Sequence, residues 1–283
     1  IEVSYQGAYC GAHAFLVAEE NGDNQTGFEM QYGLKLSELN PLAIGQKAAK
    51  KAVRMLGAKE ISTQKAAIVL DPYIATNFLG LLASSLSAEA VQKGRSLFAS
   101  SLGEVIASPK VTIIDDGILD GGIASAPFDG EGVQSQKTVL INCGKLEGFL
   151  HNTYTAAKDN LQSTGNGIRG SFKSTPEVGA TNLYLNKGSC SKEQLLKQVN
   201  KGLYITEVMG MHTANPISGD FSLGVAGIWI ENGELKNPVR GVAIAGNIIE
   251  LLTSIDCIAD DLRFFVGMGA PTVKINEMTI SGN

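Results

Sequence analysis

Histidine, cysteine and carboxylate side chains are the groups in this 283-residue chain that could support acid–base, nucleophilic or metal chemistry. The three histidines, His13, His151 and His212, lie far apart, and none has a second ligand at helix or hairpin spacing. Zinc needs three protein ligands even in an open catalytic site. The spacing therefore favours hydrogen-bonded structural histidines over a metal centre, and His212 is the first exception to test.

The four cysteines, Cys10, Cys143, Cys190 and Cys257, contain no Cys-x-x-Cys pair, and neither Cys143 nor Cys190 has a neighbouring histidine. This pattern favours reduced thiols in a cytoplasmic protein over a disulfide framework or a zinc ribbon. We interpret Cys257 as a small buried apolar residue, because isoleucines flank it. Cys143 and Cys190 are expected in turns.

Asp129-Gly130-Glu131 resembles a carboxylate pair for acid–base work. Acidic residues beside glycine are ordinary turn chemistry, so a turn-shaping role is the favoured interpretation. Gly165-Asn166-Gly167 lacks the following helix and lysine of a phosphate loop. We therefore identify no catalytic residue.

Composition describes a soluble globular protein, with 44% apolar residues, 18% charged residues and a net charge of −5. No Lys/Arg cluster offsets the negative charge, which argues against a nucleic-acid partner. No apolar run is long enough to span a bilayer. We expect a cytoplasmic protein without a membrane partner.

Hairpins dominate the predicted elements. Asn232-Gly233 follows the strand Gly224–Ile230, Asn21-Gly22 joins two strands within residues 1–34, and a third hairpin turns at Asn142–Lys145. Asn-Gly favours the tight turns that require two positive φ values. Because strands outnumber helices and come largely in hairpins, the sequence predicts an α+β fold with mixed, largely antiparallel sheets and flanking helices.

The other elements alternate with loops. Asn40 and Pro41 predict a helix start, Tyr73–Ala90 reads as one apolar helix, and Ser191 with Gln194 forms a capping box. The strand from Val111 to Ile114 is expected to stop at Asp115. The segments 117–132 and 163–181 are rich in glycine, and we expect the second to be a mobile surface loop.

Several short motifs carry a family resemblance. They are Thr206–Gly210, Asn215–Ser222, Trp229–Glu234 and Ile244–Asn247, with Ala126–Val133 and Ser163–Gly167 upstream. In this order they resemble the central and C-terminal region of the TldD/PmbA (TldD/TldE) family, closer to the PmbA/TldE side. The resemblance covers most of the chain. It implies a single domain over residues 1–283 and a family N-terminal domain that is missing from this chain.

In TldD-like members the resemblance implies a zinc helix with the pattern His-Glu-x-x-x-His. Here the matching region, Thr76–Leu86, has no histidine, cysteine or carboxylate, and Val266–Pro271 stands where the TldD side has a cysteine ligand. The resemblance therefore implies a subunit that binds no metal itself. We expect Thr76–Leu86 to be a buried structural helix, with Phe78 and Leu82 in the core.

The function implied is that of a non-metal-binding subunit in a TldD/TldE-type metalloprotease complex that acts on unfolded peptides or peptide precursors. The family is historically called a modulator of DNA gyrase. We expect a heterodimer with a TldD-like subunit that carries the only zinc, or a homodimer in isolation. Candidate peptide or partner contacts are Met211, His212, Asn215, Asp220 and Phe221. The alternatives are a stand-alone peptidase with an unrecognised site, using His212, Asp220 or Asp129, and a non-proteolytic protein-binding module.

Overall fold

The computed structural model describes residues 2–283, which form sixteen strands and six α-helices. The helices are α1 Pro41–Arg54, α2 Pro72–Ser85, α3 Ala88–Gln92, α4 Thr153–Lys158, α5 Lys192–Lys197 and α6 Ile248–Thr253. The first eight strands are β1 Cys10–Glu20, β2 Asp23–Gly33, β3 Gln64–Leu70, β4 Ile113–Asp116, β5 Lys137–Asn142, β6 Lys145–Leu146, β7 Gly167–Ile168 and β8 Glu177–Val178. The remaining strands are β9 Leu183–Leu185, β10 Lys201–Met209, β11 Asp220–Glu231, β12 Glu234–Asn247, β13 Ile255–Ile258, β14 Arg263–Phe265, β15 Met268–Ala270 and β16 Val273–Ser281. The predicted α+β class is confirmed.

The N-terminal hairpin of β1 and β2 packs on α1. Asn21 and Gly22 take φ values of 52° and 82°, as the predicted Asn-Gly turn requires. The side chain of Asn40 accepts a hydrogen bond from the Ala43 amide at the start of α1, which confirms that cap. At Gly27 a Cβ atom would lie 2.0 Å from the carbonyl oxygen of Ala48, so only glycine allows this strand to approach the helix.

The largest sheet has the strand order β12-β11-β10-β3-β16-β13. Its β10–β3 pair is parallel, and the other neighbours are antiparallel. β16 also pairs with β12 at its far end, so five of these strands close into a ring. Apolar side chains fill the ring, among them Leu203, Val225 and Ile275, all fully buried. The Asn232-Gly233 turn between β11 and β12 has φ values of 51° and 79°, as predicted.

Helix α2 lies between the ring and a second sheet, whose order is β14-β15-β9-β4-β5-β6. It contacts β10 and β3 on one side and β15, β14 and β9 on the other. Phe78, Leu79, Leu82 and Leu86 are at most 4% exposed. The expectation of a buried helix over Thr76–Leu86 is therefore confirmed, and burial on two sides explains why its sequence is apolar on more than one face.

Two predicted elements need correction. The apolar segment Tyr73–Ala90 is not one helix: α2 ends at Ser85, and the hydroxyl of Ser87 accepts from the Glu89 amide to start α3. A serine that can cap a new helix competes with continuation of the old one. The β4 strand does not stop before Asp115, because Asp115 and Asp116 continue it and are buried.

The segment 163–181 is anchored at its two ends, whereas its centre lies at the surface as predicted, with Phe172 89% exposed. Its β7 and β8 strands pair with each other, and Asn166 is 2% exposed. The Asn166 side-chain nitrogen donates to the carboxylate of Asp115 at 2.7 Å, and the Thr181 amide donates to the same carboxylate at 2.7 Å. A polar loop can be held in the interior when its buried groups are paired in this way. None of the helices in residues 2–283 is long and apolar enough to cross a membrane.

Candidate functional site

A cleft of about 250 Å³ opens beside the start of α2. Strand β3 leads directly into this helix, where the Asp71 carboxylate accepts from the Tyr73 amide at 3.1 Å and Pro72 occupies the first turn. Tyr73 and Asn77, one turn apart on α2, face the cleft. The helix thus presents polar and aromatic groups to the cleft and its apolar groups to the two sheets.

The opposite side of the cleft includes a free strand edge. β3 pairs with β10 only as far as Ile205, which lies opposite Leu70. Beyond a bulge at Thr206, the last residues of β10 are paired with β11 alone among the described strands. Thr206, Glu207 and Val208 line the cleft. An unpaired strand edge offers main-chain groups that can hydrogen-bond an extended peptide.

An aromatic cluster lines the same cleft. The ring of Tyr73 lies 5.2 Å from that of Phe265 and 6.1 Å from that of Phe28. Phe15 of β1 adds a side chain that is 62% exposed. Aromatic side chains bury large areas at recognition sites. This wall can accept apolar side chains of a bound chain next to the polar strand edge.

The buried carboxylate of Glu29 holds the β1–β2 hairpin, which contributes Phe15 and Phe28 to the aromatic cluster. Glu29 of β2 is 4% exposed, and it contacts Lys51 of α1 at 2.8 Å and Arg263 of β14 at 2.6 Å. Burial by itself would raise the pKa of Glu29, but the hydrogen bonds and charges of the two cations outweigh it and lower the pKa. The carboxylate therefore stays ionised and holds three elements together.

A second polar network lies behind Asp71. The hydroxyl of Tyr204, on β10, donates to the Asp71 carboxylate, and the ammonium group of Lys192 contacts the same hydroxyl. Burial, followed by the nearby charge of Asp71, raises the pKa of Tyr204 well above its ordinary value. Tyr204 is therefore a neutral donor at physiological pH. It joins the helix cap to the strand that forms the cleft edge.

The cleft does not have the ligands of a zinc site. Neither Tyr73 nor Asn77 is a zinc ligand of the usual kind, and within residues 2–283 no group of three or more histidine, cysteine or acidic side chains is placed to bind a metal. His13 lies on β1, His151 is buried, and His212 is exposed.

The five residues predicted to contact a peptide or partner lie between the end of β10 and the start of β11. Met211 is half-buried and His212 is exposed, both in a short 3-10 turn, Met211–Thr213. The side-chain Oδ1 of Asn215 accepts from the amides of Ile217 and Ser218, so this side chain shapes the turn. Asp220 accepts from Ser218 and Asn247 side chains.

Phe221 cannot be a surface contact, because it is 4% exposed and packs on Phe78. The expectation that it meets a partner is wrong for a physical reason: β11 alternates, and position 221 points into the ring. Met209 and Ile217, which are 49% and 54% exposed, are the apolar side chains that this region offers to a partner. Both lie within the motifs Thr206–Gly210 and Asn215–Ser222 that carry the family resemblance.

The carboxylates Asp129 and Glu131 have the favoured turn-shaping role. Asp129 accepts from the amides of Glu131, Val133 and Gly167. Glu131 accepts from the amide and hydroxyl of Thr153 at the start of α4. With their oxygens engaged by the protein, these groups order a loop and a helix terminus.

Residues 63–282 match the sequence model of the PmbA/TldA metallopeptidase C-terminal domain. The fold and this match define the class of protein: the chain belongs to the PmbA/TldD family. It is 32% identical over 279 residues to the metalloprotease PmbA of Escherichia coli O157:H7, with coverage of 97% of this chain and 60% of the relative. The TldD homolog of Haemophilus influenzae, also named a metalloprotease, is 34% identical over 206 residues, with coverage of 68% and 42%.

Solved structures give the same result. TldE of Thermococcus kodakarensis superposes with a TM-score of 0.90 at 25% identity, with coverage of 97% of this chain and 63% of that one. A Thermotoga maritima protein described as a candidate modulator of a DNA gyrase also gives a TM-score of 0.90, at 34% identity, with coverage of 96% and 62%. The chain spans about 60% of the length of the curated relatives it matches.

Proposed function

We propose that this chain acts as the non-metal-binding subunit of a TldD/TldE-type metalloprotease complex, in the cytoplasm, on unfolded peptides or peptide precursors. The observation that carries the proposal is the set of side chains that α2 presents to the cleft. Tyr73 and Asn77 face the cleft there, and no metal-binding group accompanies them in residues 2–283. Zinc is expected only on a TldD-like partner, which supplies the hydrolytic chemistry.

The free edge of β10 and the aromatic wall support a role in holding an extended chain. Main-chain hydrogen bonds to a strand edge do not depend on the side chains of the bound peptide. An unfolded substrate presents such main-chain groups, whereas a folded protein has most of them paired. This chain would thus contribute substrate binding and partner stabilisation without contributing a nucleophile.

The test is a peptidase assay on an unstructured peptide, with this chain alone, with a TldD-like subunit that has an intact His-Glu-x-x-x-His helix, and with both. We expect no hydrolysis by this chain alone and chelator-sensitive hydrolysis by the mixture that exceeds that of the partner alone. Chelator-resistant activity of this chain alone would overturn the proposal and favour a stand-alone peptidase. A mixture without stimulation or complex formation would favour a separate binding module.

A substitution in the cleft tests where the peptide binds. Tyr73→Ala removes the centre of the aromatic cluster, and we expect it to raise the KM of the mixture for an apolar peptide by about tenfold. Val105→Ala is the matched control, because Val105 is 72% exposed and does not line the cleft. An unchanged KM in Tyr73→Ala would remove the cleft from substrate binding while leaving the subunit role intact.

A further inference from the structure

Two cysteines that are distant in sequence meet in the fold. Cys190, just before α5, and Cys257, in β13, are separated by 67 positions, yet their Sγ atoms lie 3.0 Å apart. The remaining thiols lie elsewhere: Cys10 is on β1, and Cys143 is in the exposed turn between β5 and β6. The spacing in the sequence favoured reduced thiols, and all four cysteines are free in the structure, but it gave no sign that Cys190 and Cys257 lie side by side.

Backbone hydrogen bonds hold the two cysteines in place. The segment before α5 runs parallel to the end of β13, with the Gly188 amide donating to Ala259 and the Asp260 amide donating to the Cys190 carbonyl, at 2.9 and 2.8 Å. The capping box of Ser191 and Gln194 fixes the next residue. A disulfide bond has a sulfur–sulfur distance of about 2.05 Å, so the sulfurs need to approach by only about 1 Å.

We propose that Cys190 and Cys257 are a modification site that forms an intrachain disulfide when the protein meets a disulfide oxidant of the glutathione class. The bond would tie the start of α5 to β13, and so close a long loop in the chain. The site is distinct from the cleft and from the proposed subunit role. It makes the chain more resistant to unfolding under oxidising conditions.

The order of the reaction follows from burial. Cys257 is 8% exposed, whereas Cys190 is half-buried and is the thiol that a tripeptide can reach. The Cys190 thiolate attacks one sulfur of glutathione disulfide and releases a first glutathione thiolate. The Cys257 thiolate then attacks Cys190 Sγ and releases the second. Two cysteine thiols are oxidised, one glutathione disulfide is reduced to two glutathiones, and these take up the two protons.

The electrostatics make this reaction slow at neutral pH. Burial, followed by the hydrogen bond and charge of Cys257, raises the pKa of Cys190 to about 11. Since the thiolate is the nucleophile, the initial rate should rise by about tenfold per pH unit between pH 7 and pH 9. The pair is therefore suited to a lasting crosslink under sustained oxidation rather than to a rapid signal.

The experiment uses the full chain with Cys10→Ser and Cys143→Ser, so that only the pair remains. After native incubation with excess glutathione disulfide at pH 9, we expect both thiols to be lost, the mass to fall by two hydrogen atoms, and peptide mapping to join residues 190 and 257. The thermal midpoint should rise by about 5 °C or more over the reduced protein, because the loop is long. Reduction should reverse the rise.

Adding Cys257→Ser to this background should leave Cys190 as a thiol or as a glutathione adduct, without the rise in midpoint. Four results with the protein that keeps both Cys190 and Cys257 would each overturn the proposal. They are thiols that persist at pH 9, glutathione adducts without a crosslink, crosslinks between chains, and a crosslink that lowers the thermal midpoint. The peptide map of the pair does not depend on this variant, so a Cys257→Ser protein that fails to fold still leaves a decisive result.

Discussion

Phe78 of α2 and Phe221 of β11 meet edge to face, with ring centroids 5.4 Å apart and ring planes at 73°. The contact joins the helix beside the cleft to the strand that follows the loop 210–219. The hydroxyl of Ser85 also donates to the carbonyl of Pro216 at 3.1 Å, at the other end of the helix. Helix, strand and loop therefore form one packed unit. A substitution in the core of the helix should consequently also alter the conformation of the loop.

Truncating the centre of α2 should destabilise the fold. Leu82 is 2% exposed, so Leu82→Ala should lower the free energy of unfolding by about 2–5 kcal/mol, through lost apolar burial and the cavity that remains. Chemical denaturation measures this change. Leu42→Ala on α1, where the leucine is 72% exposed, is the control and should stay within about 0.5 kcal/mol of the parent. Equal effects of the two substitutions would contradict the packing of α2.

The Glu29 carboxylate should make stability depend on acid pH. The pKa of Glu29 in the folded protein lies below the ordinary value of a glutamate side chain, so its stabilisation is complete above that ordinary value and is lost as pH falls through the folded pKa. Glu29→Gln should cost about 1–3 kcal/mol at pH 7, a range that allows for the partial exposure of Lys51 and Arg263.

Denaturation of the parent and of Glu29→Gln at several pH values checks this. The difference between them should shrink below about pH 4. Glu277→Gln is a control, because its contact with Lys65 is 3.7 Å long and exposed on both sides. A difference for Glu29→Gln that stays constant down to pH 2 would show that a cause other than ionisation is responsible.

The network of Tyr204 should contribute to stability without being titrated near neutral pH. Tyr204→Phe leaves the Asp71 oxygen and the Lys192 ammonium group without their shared partner, and we expect a loss of about 1–2 kcal/mol. Because the folded pKa is raised, the parent should also lose stability as pH rises above about 10, where the unfolded tyrosine ionises. Denaturation at pH 7 and above pH 10 measures both effects, and a parent that gains stability above pH 10 would contradict the assigned direction.

The chain is expected to purify without stoichiometric zinc. The reason is the ligand-free stretch Thr76–Leu86, together with the lack of a three-residue metal-binding group in residues 2–283. Elemental analysis after dialysis should find far less than one metal per chain. One tightly held zinc would contradict the prediction, and His212→Ala would then be the first variant to examine.

The exposed apolar side chains around the loop are expected to contact the TldD-like partner. Met209→Asp and Ile217→Asp should each weaken the complex by tenfold or more, because an interface would bury their new charges. Leu102→Asp, at a site that is 59% exposed and outside this loop, is the control. Titration calorimetry or size-exclusion chromatography measures the effect. Full affinity in both loop variants would exclude this surface, including Met211 and His212, from the interface.

Local chemistry in the sequence determined much of the fold. Four features act over only a few residues, so they can be predicted from the local sequence. They are the Asn-Gly turns, the Asn40 cap, the Ser191 capping box and the apolar composition of α2. The order of the family motifs likewise indicated the class of protein, and the match over residues 63–282 confirms it.

Only the tertiary structure decided which distant groups meet. The contact of Cys190 with Cys257, the holding of Asn166 by Asp115, and the burial of Phe221 all depend on strand pairings between segments that are far apart in sequence. A motif specifies the type of side chain at each position. The register of the sheet decides whether that side chain points to the interior or to solvent, because a shift of one residue exchanges the two faces. The cleft itself arises for the same reason, because β3 ends at Leu70 while β10 continues past Ile205.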